Sequence, residues 1–258
     1  MTAGTTPAGR AFRGVCVVTG GGRGIGAATS VRLARNGWDV CLTWTAHEEA
    51  AADVAAICRA AGASVAVVRA DVSAEADVVA LFAAARELGP VRGLVNNAGT
   101  LGRQSRVEDL GAARIERTLL VNALGTIVCS REAVRAMSPR HGGRGGSIVN
   151  VSSRAAVTGG ADEYVDYAAA KAAVDALTVG LSKEVAADGI RVNGVRPALI
   201  RTGIHASGGE PGRVDRLAPS VPMRRGGEPD EVAAVIAWLL SDEASYVTGA
   251  IVDVAGGR

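Results

Sequence analysis

Lysine is nearly missing from this chain. Of its 28 basic residues only two, Lys171 and Lys183, are lysines, and the rest are arginines. Long apolar runs are missing too. The longest, Val232–Leu240, is far short of the roughly 20 residues that cross a bilayer. Residues 1–13 hold Thr, Gly, Pro and Arg without an apolar stretch, so a flexible tail is expected there rather than a signal peptide. Cysteine is scarce and unpatterned. Cys16, Cys41, Cys58 and Cys129 form no CxxC and no His-linked spacing. They read as small core residues in a reducing compartment, with no metal site among them. The basic residues do not cluster either. The longest basic run is Arg224-Arg225 and the net charge is +2, which argues against a nucleic-acid surface. These absences point to a cytoplasmic protein without membrane or nucleic-acid partners.

What remains is an ordinary globular composition. The chain has 258 residues, 48% hydrophobic and 21% charged. A chain of this length can bury roughly 75% of its unfolded surface and needs no disulfide or metal staple. Short β-branched runs alternate with Ala-rich stretches of helical period, separated by Gly, Asp or Pro. Strands are expected at Gly14–Thr19, Trp38–Trp44, Ser64–Arg69, Arg92–Val95, Ser147–Val151, Arg191–Val195 and Ala250–Val254. Helices are expected near 24–36, 47–61, 74–88, 111–137, 165–187 and 229–241. Such alternation means βαβ units, hence an α/β fold with about seven parallel strands and helices on both faces. No boundary divides residues 14–258, so one domain is expected. The Gly- and Pro-rich stretch 197–229 lacks any period and is too long for an ordinary loop, so it reads as a substrate lid or wall.

The first βα turn reads Thr19-Gly-Gly-Gly-Arg-Gly-Ile-Gly26. Glycines let the backbone approach a phosphate there, and the following helix offers free N–H groups to an anion. Gly20, Gly24 and Gly26, with Arg23 and Ile25 between them, thus point to a dinucleotide. Strand two ends Leu42-Thr43-Trp44-Thr45-Ala46-His47, with no carboxylate before Glu48 to hold a ribose 2′-hydroxyl. Arg23 could pair with a 2′-phosphate. Both features favour NADP over NAD.

Tyr167-Ala-Ala-Ala-Lys171 stacks a phenol and an ammonium on one helix face. A nearby cation should lower the tyrosine pKa toward working pH, as a general acid/base needs. Arginine fills nearly every other basic position, yet 171 is lysine. An ammonium can give and take a proton, whereas a guanidinium cannot. Upstream, Val149-Asn-Val-Ser-Ser-Arg154 ends strand five, where open α/β sheets place ligand groups. Ser153 is the candidate hydroxyl partner, although Ser152 or Ser153 could simply turn the chain. Tyr164 has Ala168 four positions on, and no cation, so it is set aside.

Together these residues resemble the short-chain dehydrogenase/reductase family along almost the whole chain. The matches are Thr19–Gly26, Asp71-Val72, Asn96-Asn-Ala-Gly99, Asn122, Ser153, Tyr167 with Lys171, and Pro197 with Thr202. The resemblance implies a doubly wound Rossmann domain that moves a hydride between NAD(P) and a small carbonyl or alcohol substrate. It implies Tyr167 as proton donor or base, Ser153 polarising the carbonyl, and Lys171 tuning Tyr167 and binding the ribose. Asn122 would hold a relay water. Asp71 and Val72 would meet the adenine, although Asp71 could equally cap the helix near 74. Thr45 would join the ribose wall. Asn97, Ala98 and Gly99 would line the cofactor, and Pro197, Ile200 and Thr202 its nicotinamide end. A homodimer or homotetramer through the helices at 111–137 and 165–187 is implied as well. Pro197-Ala198 departs from the family's usual Pro-Gly. Within the family the chain looks most like 3-oxoacyl-carrier-protein reductases and glucose-dehydrogenase-like enzymes. An epimerase or dehydratase on the same fold, or a non-catalytic dinucleotide sensor, are the alternatives. Arg201, Arg213, Arg216, Arg224 and Arg225 could meet an acidic carrier but read rather as solvated surface, and His205 and Trp44 could line pockets but read rather as core or surface residues.

Overall fold

Valine-rich runs with no polar interruption become strands buried on both faces, which is what a parallel sheet between two helical layers requires. The structure, a computed structural model, describes residues 13–258; the expected tail, save Arg13, lies outside the described residues. The strands are β1 (Val15–Val18), β2 (Asp39–Trp44), β3 (Val65–Arg69), β4 (Val91–Asn96), β5 (Gly146–Val151), β6 (Ile190–Pro197) and β7 (Ile251–Val254). They form one parallel sheet in the order β3-β2-β1-β4-β5-β6-β7. The strand order reverses between β1 and β4, so a crevice opens there at the carboxyl ends, where such sheets bind ligands.

Helices α1 (Gly24–Arg35), α2 (Glu48–Ala60) and α3 (Glu75–Leu88) follow the first three strands. Helices α4 (Ala112–Leu119) and α5 (Gly125–Met137) are joined by a π-helical turn, Leu120–Leu124, where one long helix is expected. The extra residue in that turn brings Asn122 into the interior, fully buried. A short α6 (Ala155–Thr158) precedes α7 (Val165–Val185). The stretch 197–229 is not wholly irregular, since it holds the small helices α8 (Ile204–Ser207) and α9 (Arg213–Leu217). Helix α10 (Pro229–Leu240) starts with proline at its first position and a Glu228–Glu231 capping box.

Two apolar clusters sandwich the sheet. One packs Leu33 of α1, Val54 of α2 and Ile236 of α10 against Val18 and Leu42. The other packs Leu81 and Phe82 of α3, Cys129 of α5 and Val185 of α7 against Val17 and Leu94. All four cysteines are buried free thiols, and burial raises the pKa of each.

A polar seam crosses this core. Asn96 and Asn150 face each other in register on β4 and β5. The Asn96 amide donates to Asn150 Oδ1 at 2.9 Å and to Ser130 Oγ at 3.0 Å. The Asn150 amide donates to Thr178 Oγ1 at 2.9 Å. The seam therefore fixes α5 and α7 to the central strands. Asn150→Ala removes both of these bonds, although Asn96 keeps Ser130 and Thr178 keeps the Val174 carbonyl, and urea unfolding is expected to show a loss of about 2 kcal/mol.

Candidate active site

Five hydrogen bonds shape the glycine turn after β1. The Thr19 hydroxyl accepts from the backbone N–H groups of Asn97 and Ala98, both at 3.0 Å. The Asn97 amide donates back to the carbonyls of Thr19 at 2.9 Å and Gly20 at 3.1 Å. The Gly20 N–H donates to Thr43 Oγ1 at 2.9 Å. The turn is thus stitched to the ends of β4 and β2. Thr43 escapes the sequence reading, and its one signal is a small polar residue within the apolar run of strand two. Gly26 has no room for a side chain, because a Cβ there would run into the Gly20 carbonyl. Gly20 and Gly24 hold positive φ, at 62° and 53°.

A cleft of about 500 Å³ opens at the carboxyl ends of the strands. It is lined by every expected cofactor contact except Gly26, which lies behind the turn: Gly20, Arg23, Gly24, Ile25, Thr45, Asp71, Val72, Asn97, Ala98, Gly99, Tyr167, Lys171, Pro197, Ile200 and Thr202. The N-terminus of α1 points its free N–H groups here, with no acidic residue in its first turn. Thr45, Ala46 and His47 form the wall beyond β2 together with exposed Arg23. Glycine turn, open helix end and polar wall fit a dinucleotide. The Asp71 carboxylate already serves the chain. Its Oδ1 accepts from the Ser73 N–H and hydroxyl at 3.0 and 2.7 Å, and Oδ2 from Arg117 at 3.0 Å. Ala198 replaces glycine without strain, since it is absent from the positive-φ residues and its N–H donates to the Val254 carbonyl at 3.2 Å.

Tyr167, Lys171 and Ser153 meet at the middle of the cleft. Lys171 is buried, and its Nζ donates to the Val151 carbonyl at 2.7 Å. Burial lowers its pKa to about 8, against the opposing pull of Asp175. Lys171 Nζ lies 5.7 Å from the centre of the Tyr167 ring. The expected fall in the tyrosine pKa runs the other way. Enclosure of the phenol pushes it up to about 12, only partly offset by its hydrogen bond with Ser153. The cation is engaged with a backbone carbonyl, so desolvation dominates. The two serines divide their duties: Ser152 Oγ donates to the Lys171 carbonyl at 3.1 Å, while Ser153 reaches Tyr167 and accepts from the Ala155 N–H at 3.1 Å.

Asn122 does not line the cleft. Its amide donates to the carbonyls of Thr100 at 3.0 Å and Thr118 at 2.9 Å, and its Oδ1 accepts from the Thr100 N–H at 3.2 Å. It therefore pins the loop after β4 beside Lys171. Gly99 fits between them: a Cβ there would sit 2.8 Å from Asn122 Oδ1 and 3.7 Å from Lys171 Nζ. The first turn of α7 is fixed by buried Asp166, which accepts from Arg114 at 3.0 and 3.2 Å and from Thr118 Oγ1 at 3.2 Å. Asp166 directly precedes Tyr167 and is missed by motif reading.

Three readings change, two at the substrate end and one at the end of β2. Arg213 is buried rather than solvated, held by Glu163 at 2.6 Å and Glu210 at 3.1 Å. His205 is a wall of the cleft, not a core or surface residue, and half-buried Trp44 also lines it beneath Arg69. By contrast Arg201, Arg216, Arg224 and Arg225 are exposed as expected. Tyr164, set aside as a catalyst, lines the cleft edge-on to Tyr167 with ring centres 6.5 Å apart. No group of three His, Cys, Asp or Glu side chains among the described residues could hold a metal ion.

A Rossmann sheet with a glycine cradle and a Ser–Tyr–Lys set defines a nicotinamide-dependent oxidoreductase. Residues 20–258 match the family model described as enoyl-(acyl carrier protein) reductase. The chain is 54% identical over 245 residues to an uncharacterised oxidoreductase, YgfF, of Escherichia coli K12, covering 95% of this chain and 99% of that protein. It is 42% identical to the cis-4-hydroxycyclohexanecarboxylate dehydrogenase of Sinomonas cyclohexanicum, covering 94% and 95% of the two chains. The crystal structure of levodione reductase superimposes with a TM-score of 0.88 at 34% identity, covering 96% of this chain and 98% of that one. The chain belongs to the short-chain dehydrogenase/reductase family and is an NAD(P)-dependent oxidoreductase acting on a small molecule.

Gly26→Ala should break the cradle. Nicotinamide-cofactor binding, followed by calorimetry, is expected to fall by about 100-fold or more, comparable to losing several charge-assisted hydrogen bonds. Gly111→Ala, whose Cβ would meet nothing, serves as the control and should bind normally.

Proposed function

We propose that residues 14–258 form one catalytic domain that reduces a small ketone with NADPH, with the 197–229 stretch as its substrate wall. The observation that carries this reading is Tyr167 hydrogen-bonded to Ser153 with Lys171 one turn on, in the cleft that the glycine turn also lines. When bound, the nicotinamide supplies the hydride. Ser153 donates to the substrate oxygen and orients the carbonyl. Tyr167 gives that oxygen its proton as it becomes an alkoxide. Burial of the phenol keeps it protonated at neutral pH, the form that gives a proton in reduction. Lys171 replaces the proton, and its value near 8 lets it lose and regain one in the working range. Asn122 keeps the loop beside Lys171 in place.

The NADPH preference rests on Arg23, on Thr45 and His47 in the cleft wall, and on the lack of a carboxylate before Glu48. The levodione and cis-4-hydroxycyclohexanecarboxylate enzymes, by their names, act on small molecules, which supports this reading. No observation favours an epimerase, a dehydratase or a sensor. Exposed Leu119, Leu124 and Ile127 on the α4–α5 face and Val179 on α7 support a homodimer or homotetramer. Four buried free thiols support a cytoplasmic setting.

Oxidation of NADPH by a panel of ketones tests the function. kcat/KM with NADPH is expected to exceed that with NADH by about tenfold or more, one good charge-assisted contact. Equal or better use of NADH would remove the cofactor claim. The pH profile tests the proton path. Below about 8 Lys171 is charged and can resupply Tyr167; above it the proton is lost. Ketone reduction at saturating NADPH should therefore decline as pH rises through about 8, and Lys171→Met should abolish that limb along with most of the rate.

A further inference from the structure

Beyond the reacting centre, the cleft wall holds a buried donor and a buried acceptor that no described residue matches. Tyr164 and His205 both line it, and both are more than nine-tenths buried. Tyr164 stands three residues before Tyr167, edge-on to its ring. Its oxygen accepts from the Gln104 amide at 3.2 Å. Its own proton has no acceptor among the described residues, so the O–H is available. His205 Nε2 lies 3.0 Å from the Ile200 carbonyl. A carbonyl only accepts, so Nε2 carries the ring proton and Nδ1 carries a lone pair. That Nδ1 is buried and has no partner among the described residues. An unmatched buried acceptor in a cleft wall calls for a ligand donor.

The two groups flank the same guanidinium. Arg213 sits 5.2 Å from the centre of the Tyr164 ring and also acts electrostatically on His205. Its charge is already matched. Glu163 and Glu210 hold it at 2.6 and 3.1 Å, and Glu210 also binds Arg216 and Gln104. Two cations thus face two carboxylates. A substrate carboxylate would find Arg213 already paired and would meet Glu163, which itself lines the cleft.

We propose that the substrate bears, besides its reacting carbonyl, a neutral hydroxyl that accepts from the Tyr164 O–H and donates to His205 Nδ1. A hydroxyl is the one common neutral group that supplies both roles at a single atom. The substrate class is therefore a hydroxyketone, or a diol in the oxidative direction, with the second hydroxyl unchanged by the reaction. This proposal rests on the oxidoreductase reading above and adds a specificity site to it.

Matched ketones test it. kcat/KM is measured with NADPH for 4-hydroxycyclohexanone, 4-methylcyclohexanone and 4-oxocyclohexanecarboxylate, and for hydroxyacetone against 2-butanone. In at least one pair the hydroxyketone should lead its alkyl match by about tenfold, the weight of one or two neutral hydrogen bonds. Tyr164→Phe should shrink that ratio toward one, and His205→Leu should shrink it in the same direction. The carboxylate should do no better than the methyl ketone. Equal use of both members in both pairs, preference for the carboxylate, or a ratio unmoved by Tyr164→Phe would overturn the proposal while leaving the reductase reading intact. If His205→Leu fails to fold, the Tyr164→Phe ratio decides. Turnover of none of the five ketones would overturn the reductase reading, and this proposal with it.

Discussion

The site depends on how Lys171 fastens α7 to the end of β5. Its ammonium donates to the Val151 carbonyl, and its own carbonyl accepts from the Ser152 hydroxyl. These two bonds are reciprocal between one helix and one strand end. They set the rotation of α7, and Tyr167 lies one turn back on the same face. They also orient the chain after Val151, so that Ser152 points into the helix and Ser153 points toward the phenol. A lysine suits this place because it buries a thin stem and brings one compact charge to one carbonyl. Burying it has a cost, visible in its lowered pKa, and that same cost makes the proton labile.

Much of this was legible beforehand, and the limits have physical reasons. All seven strands and the main helices follow from runs of valine alternating with helical periods, because parallel strands buried on both faces leave no other pattern. The turn Thr19–Gly26 and the Tyr167–Lys171 spacing are local, so sequence carries them. The π-helical turn at Leu120–Leu124 was not legible, since its extra residue is demanded by packing Asn122 inward and not by local propensity. The burial of Arg213 was hidden for a similar reason. Its two carboxylate partners, Glu163 and Glu210, come from separate segments that only the fold brings together. The direction of the Tyr167 shift also lay beyond sequence, because spacing reveals the cation but not its engagement with Val151 or the enclosure of the phenol.

Arginine dominates the charged surface yet works differently at different depths. At the rim, pairs such as Arg225 with Glu231 are exposed and contribute little. Inside, Arg114 with Asp166 and Arg213 with Glu163 join elements distant in sequence. The first holds the helix that carries Tyr167. The second ties the 197–229 stretch to the loop before α7. Each buried charge is matched, as burial demands.

In the proposed mechanism the Tyr167 hydroxyl, held by this framework, moves the proton. The most direct test compares Tyr167→Phe with the parent chain, in single-turnover ketone reduction at saturating NADPH together with cofactor affinity by titration. The rate is expected to fall by about 1,000-fold, within the usual range for a general acid, with NADPH affinity retained. A variant that binds NADPH and keeps more than about half of the parent rate, where a general acid usually supplies at least 100-fold, would contradict it.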